Sequence, residues 1–82
     1  MTSDVQGWLA AWFAKRAPNI HLNDDHNFFD REAIDSFGII ELIEDAEQHF
    51  GIRFTEHDFQ DRRFPTIAGL CDIITSKRAD AR

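Results

Sequence analysis

Val5, Trp8, Leu9, Trp12 and Phe13 stand at i, i+3, i+4, i+7 and i+8 along the chain. That spacing lines up one apolar face of an α-helix. Ser3 and Gln6 have the spacing of a capping box at its start, and Pro18 marks its end. Both tryptophans on this face are read as core packing. A polar connection from Pro18 to Asp35 follows, with Ile20, Leu22, Phe28, Phe29 and Ile34 scattered through it. A connection of this length with so many apolar anchors is expected to lie against the body. The strongest helical pattern runs from Ser36 to Phe50. Its expected buried stripe is Ile39, Ile43, Ala46 and Phe50, widened by Leu42, with Glu41, Glu44, Asp45, Glu47 and Gln48 on the other faces. Asp35 is the expected N-cap and Gly51 the expected left-handed terminator.

A short helix is predicted from Glu56 to Asp61, with Thr55 and Asp58 at capping-box spacing. A last helix is predicted from Thr66 to Lys77, with Ile67, Leu70, Cys71 and Ile74 on its apolar face and Pro65 just before its first turn. There is no strand pattern, repeat or low-complexity tract. The expected fold is all-α: a small antiparallel bundle of three main helices plus one short helix, occupying residues 1–82 as a single domain.

Composition narrows the functions. Of the 82 residues, 43% are hydrophobic, including eight Phe and two Trp. That suffices for one compact core and falls short of a large enclosed active site, which argues against an elaborate enzyme. The net charge of -6 argues against a nucleic-acid backbone as partner. Acid is concentrated in the middle: Asp35 to Asp61 holds eight carboxylates against one base, Arg53, whereas Arg62 to Arg82 holds five bases and two acids. A negative central surface suits basic partner proteins. A single cysteine, Cys71, precludes an internal disulfide and fits a reducing compartment. No apolar run approaches the roughly 20 residues of a membrane span, and the N-terminus lacks the features of a signal peptide. The expectation is a cytoplasmic monomer.

One tripeptide carries chemistry. Asp35-Ser36-Phe37 puts a hydroxyl in the first turn of an acidic helix, directly after a structured loop. Unpaired amides and the positive dipole end at that position favour an attached phosphate. Other site chemistries fit less well. Asn23, Asp25 and Asn27 imitate the first ligands of a calcium loop, but Phe28 and Ile34 stand where Gly and Glu are required. His21, His26, His49 and His57 lack the pairing of a zinc site and read as surface or loop residues. Cys71, on an apolar face, reads as a small core residue.

The surrounding residues resemble a family. Phe28-Phe29-Asp30, then Ala33-Ile34-Asp35-Ser36-Phe37-Gly38-Ile39-Ile40-Glu41-Leu42, then Phe50-Gly51-Ile52, resemble the phosphopantetheine attachment region of acyl carrier proteins. Phe64, Thr66, Ile67 and Leu70 resemble that family's entry into its final helix. The resemblance implies a non-catalytic carrier with a 4'-phosphopantetheine arm, derived from coenzyme A, on Ser36, within a motif formed with Asp35 and Phe37. A phosphopantetheinyl transferase would install the arm. Acyl or aminoacyl ligases, acyltransferases or synthases with basic docking surfaces would load and use it, in lipid, fatty acid or secondary metabolite synthesis. Phe37, Ile40, Glu41, Glu44, Asp45 and Glu47 are the candidate partner contacts.

Two departures bear on cargo. Phe37 replaces a common Leu, and Gly38 stands where fatty-acid-synthesis carriers usually have an acid. Asp-Ser-Phe-Gly is closer to D-alanyl carriers and some specialised stand-alone carriers, and the Gly-Gly of peptidyl carriers is absent. With an aromatic-rich core, Gly38 favours a short or polar cargo. Two other readings remain: a helical protein–protein adaptor whose serine is never modified, and a helix-turn-helix DNA binder, which the acidic central helix disfavours.

Overall fold

The computed structural model describes residues 4–20 and 22–80, with the backbone alone for Asp80. Four helices appear in the order α1 (Asp4–Arg16), α2 (Ser36–Phe50), α3 (Glu56–Gln60) and α4 (Ile67–Asp80). The expected all-α bundle of three main helices and one short helix is therefore found. Among the described residues the sole strand-like feature is an isolated bridge between Asn27 and Thr66. Relative to the sequence pattern, α3 stops one residue earlier and α4 runs three residues further. Ser3 and His21 lie outside the described residues, and with them the capping box expected at the start of α1.

Val5, Leu9 and Phe13 turn inward from α1, and Ile67, Leu70, Cys71, Ile73 and Ile74 from α4. Among the described helices, α1 and α4 share the most extensive contact. Trp8 and Trp12 are only partly buried and flank the core instead of filling it. On α2 the buried stripe is rotated from the expected one. Gly38, Leu42 and Ala46 are its buried residues, whereas Ile39, Ile43 and Phe50 are partly buried and pack at its margin. The periodicity placed the face correctly but could not centre it, because a glycine gives no apolar signal and still marks the closest approach.

The 18–35 connection is a built part of the body. Phe28 is fully buried, stacked on Phe13 at 4.9 Å between ring centroids and edge-on to Phe64 at 6.5 Å. Its amide donates to the Pro65 carbonyl at 2.8 Å, and the Ala68 amide donates to the Asp24 carbonyl at 2.9 Å. These bonds tie the loop to the start of α4. The Asn27 side chain accepts from the amides of Phe29 and Asp30, so this calcium-like residue serves the turn itself. Among the described residues no cluster of three or more His, Cys, Asp or Glu side chains could hold a metal. The radius of gyration, 11.9 Å, is close to the roughly 12 Å of a packed chain this long.

α3 buries no residue of its own; Phe59 packs edge-on to Phe64 at 5.4 Å, and polar contacts add to its anchoring. Asp58 accepts from the Thr55 amide at 2.7 Å, in the position its spacing predicted. The same carboxylate pairs with Lys77 of α4 at 2.6 Å. Burial works against the charged form of Asp58, but the hydrogen bonds from Lys77 and from Thr55 outweigh it and lower its pKa. Beyond α3, the Arg63 side chain holds the Asp61 carboxyl at about 2.

Candidate functional site

The loop delivers its last residues to a defined place. The Ala33 amide donates to the Phe28 carbonyl at 3.0 Å, and Ala33 and Ile34 are both buried. Glu32 just before them adopts a left-handed φ of 57°, a conformation that a non-glycine residue holds only where its surroundings enforce it. Asp35 then leaves the loop in extended backbone, its carboxylate accepting the Gly38 amide at 2.6 Å and its carbonyl accepting the Ile39 amide at 3.0 Å. This is the N-cap the sequence predicted, and it fixes the register at which α2 begins.

Ser36 is the first residue of α2 and is exposed. Phe37 is 70% exposed and Ile40 58%, so the hydroxyl sits beside two large apolar side chains presented to solvent. On the other side of the α2 start, a crevice of about 610 Å³ is lined by Arg16, Ala17, Ile20, Phe29, Ile34 and Asp35, among others. One expected anchor differs here: Phe29 is 41% exposed at the edge of this crevice, although it tilts against Phe28 at 5.0 Å.

The carboxylates named as candidate partner contacts have different surroundings. Glu41 pairs with Arg16 of α1 at 2.5 Å, and Asp45 accepts from the Trp12 ring nitrogen at 2.8 Å. Glu47 accepts the Phe54 amide at 2.9 Å, closing the turn after Gly51. Glu44 makes no hydrogen bond or ion pair among the described residues. Arg16 and Trp12 were not legible as site residues. Trp12 read as core, Arg16 carried no signal of its own, and no spacing rule connects α1 to α2.

Gly38 acquires a packing explanation. A Cβ there would lie 2.9 Å from the Ile34 side chain, 3.0 Å from Arg16 Nε and 3.1 Å from the Asp35 carboxylate. The glycine makes room for the loop end and for Arg16, so its presence carries no weight for the choice of cargo. Of the histidines, His49 is exposed and stacks on Trp8 at 5.2 Å, and His26 bonds to the Asn23 amide and to Arg31. Cys71 is buried in the core, as its position on α4 predicted.

The arrangement is an exposed hydroxyl at a capped helix start, flanked by an apolar pair, and the chain is matched by a family defined by such an attachment point. Residues 9–74 match the phosphopantetheine attachment site family, and the chain belongs to it. It is a carrier-type domain, and membership implies a covalently attached 4'-phosphopantetheine. No curated protein and no solved structure gives a significant match. The residues present fit the group. Ser36 is exposed, and its amide and that of Phe37 make no hydrogen bond among the described residues, leaving helix-end donors beside any phosphate placed there. No helix among the described residues is long and apolar enough to cross a membrane.

Proposed function

We propose that Ser36 is the attachment point and that the protein shuttles an acyl or aminoacyl group between partner enzymes. One observation carries this reading: Ser36 is the only serine between residues 9 and 74, and it is exposed at the first position of α2. Ser76 lies beyond the matched segment on α4. A phosphopantetheinyl transferase moves the arm from coenzyme A to Ser36: the deprotonated hydroxyl oxygen attacks the phosphorus next to pantetheine, the pyrophosphate bond breaks, a phosphodiester forms and adenosine 3',5'-bisphosphate leaves. The group supplies a terminal thiol that holds cargo as a thioester. This chain contributes the fixed hydroxyl, the capped helix start and the docking surface, and it needs no base of its own because the transferase performs the deprotonation. Ligases, acyltransferases or synthases are its further partners.

A short or polar cargo is favoured by the core. Phe13, Phe28 and Phe64 interlock at its centre, with Phe54 and Phe59 extending the ring cluster past Phe64 at 6.3 and 5.4 Å. Opening a void among packed rings costs about 1 kcal/mol or more for each methyl-sized gap. Incubation with coenzyme A and a transferase should add one phosphopantetheine to the intact mass. Ser36→Ala should abolish that gain while costing under about 1 kcal/mol in stability. Modification that persists in the alanine variant would refute the assignment, and an unmodified wild-type chain would favour the adaptor reading.

A further inference from the structure

The surface of α2 divides into stripes with different destinations. Gly38, Leu42 and Ala46, four residues apart, are buried. Glu41 and Asp45, also four apart, both engage α1 through Arg16 and Trp12. Phe37, Ile40 and Glu44, at i, i+3 and i+7, form the stripe that continues from Ser36. Phe37 and Ile40 are exposed apolar residues, and Glu44 is exposed and forms no ion pair among the described residues, although Arg53 lines the same surface crevice.

Arg16 is seated, not merely nearby. Its guanidinium lies 5.3 Å from the centroid of the Trp12 ring, its Nη1 2.5 Å from Glu41 Oε2, and its Nε over the space a Gly38 Cβ would need. Trp12 is itself anchored to α2 by its bond to Asp45. A side chain held between the Trp12 ring and Glu41 gives up little further freedom to keep its ion pair. An incoming enzyme cation therefore competes with a pre-placed one at Glu41 and meets no ion-paired one at Glu44.

We propose that Arg16 is a specificity residue. By neutralising Glu41 within the chain, it shifts partner recognition away from Glu41 and toward Phe37, Ile40 and Glu44. The partner surface that fits is an apolar socket with one cation opposite Glu44, not a broad basic face. This rests on Ser36 being the attachment point, because the stripe is read outward from it. Like-charge avoidance strengthens the selection, since a broad basic surface meets Arg16 at the position where an unmasked acidic helix would attract it.

The test measures the second-order rate of phosphopantetheine transfer from coenzyme A by a transferase with a basic docking surface. Mass gain is followed at low and moderate salt for wild type, Glu41→Gln, Glu44→Gln, Arg16→Gln and the Arg16→Gln/Glu41→Gln double variant. Glu41→Gln should stay within about two-fold of wild type, whereas Glu44→Gln should slow transfer roughly three-fold or more and flatten its salt dependence. Arg16→Gln should speed transfer and steepen the salt dependence, and adding Glu41→Gln should cancel that gain. Equal slowing by Glu41→Gln and Glu44→Gln with Arg16 present would overturn the proposal, as would an Arg16→Gln rate and salt slope matching wild type. The two glutamate variants alter only α2 side chains outside the buried stripe, so their comparison holds even if Arg16→Gln melts early. If Ser36→Ala still gains the mass, the attachment reading fails and the proposal with it. A normal Ser36→Ala result with equal glutamate effects sinks the proposal alone.

Discussion

Replacing glycine with alanine at position 7 and at position 69 is the same chemical change on two helices, and the structure assigns it opposite signs. In a helix interior alanine is favoured over glycine by about 0.8–1 kcal/mol. Gly7 is exposed on α1 and has no atom within 4 Å of where its Cβ would stand, so Gly7→Ala should realise most of that gain. Gly69 is buried in α4, where a Cβ would lie 2.0 Å from the Arg63 carbonyl oxygen and 2.7 Å from Arg63 Cα. These are backbone atoms, and the Thr66 amide and hydroxyl both donate to that carbonyl at 3.3 Å. Relief requires α4 to move away from the turn that precedes it. Overpacking of this kind costs about 3 kcal/mol at the upper end of its usual range. After the propensity gain, Gly69→Ala should lose about 2 kcal/mol, on the order of 10 °C in Tm for a domain of this size. Urea and thermal melts followed by circular dichroism measure both variants. Amide exchange at Phe28 and Ala33 reports whether the loop leading to Ser36 loosens, since Phe28 is bonded to Pro65 in the displaced turn. A Gly69→Ala protein as stable as wild type would refute the close contact and the docking of α4 built on it.

Phe28→Ala should cost about 3–5 kcal/mol, a large part of the roughly 4–12 kcal/mol available to 82 residues, and leave a chain that melts near room temperature or lacks a cooperative transition. A loss below about 1 kcal/mol would mean that the loop is not anchored by that ring. Asp58 and Asp61 have folded pKa values below the usual 3.8, so the unfolded chain binds protons first and stability should fall as pH drops below about 3.8 toward 2. Lys77→Met should shrink the Asp58 share of that acid loss; an acid melt with the wild-type slope would show that the pair contributes nothing. Loading the holo protein with an amino acid and with a long acyl chain should leave Tm and core amide shifts nearly alike. A strong stabilisation by the long chain alone, with shifts at Phe28 or Phe64, would show that the rings part to admit it.

Much of this protein was set by local sequence. Asp35 before an apolar-periodic run, Thr55 three residues ahead of Asp58, and Gly51 at the end of a stripe each act through backbone groups within a few residues, so their caps and turns follow from spacing. The Asp35-Ser36-Phe37 motif was legible for the same reason, because its exposure and position depend on where one helix starts. Tertiary packing decided what spacing cannot encode. It turned α2 onto Gly38, Leu42 and Ala46, because the closest approach is set by what α1 and the loop place opposite. It sent Glu41 to Arg16, Asp45 to Trp12 and Glu47 to the Phe54 amide, dividing a patch that looks uniform in sequence. Charge counts add along a chain, whereas the Arg16–Glu41 ion pair and the Trp12–Asp45 hydrogen bond join residues 25 and 33 positions apart, which only the folded arrangement of helices brings to contact.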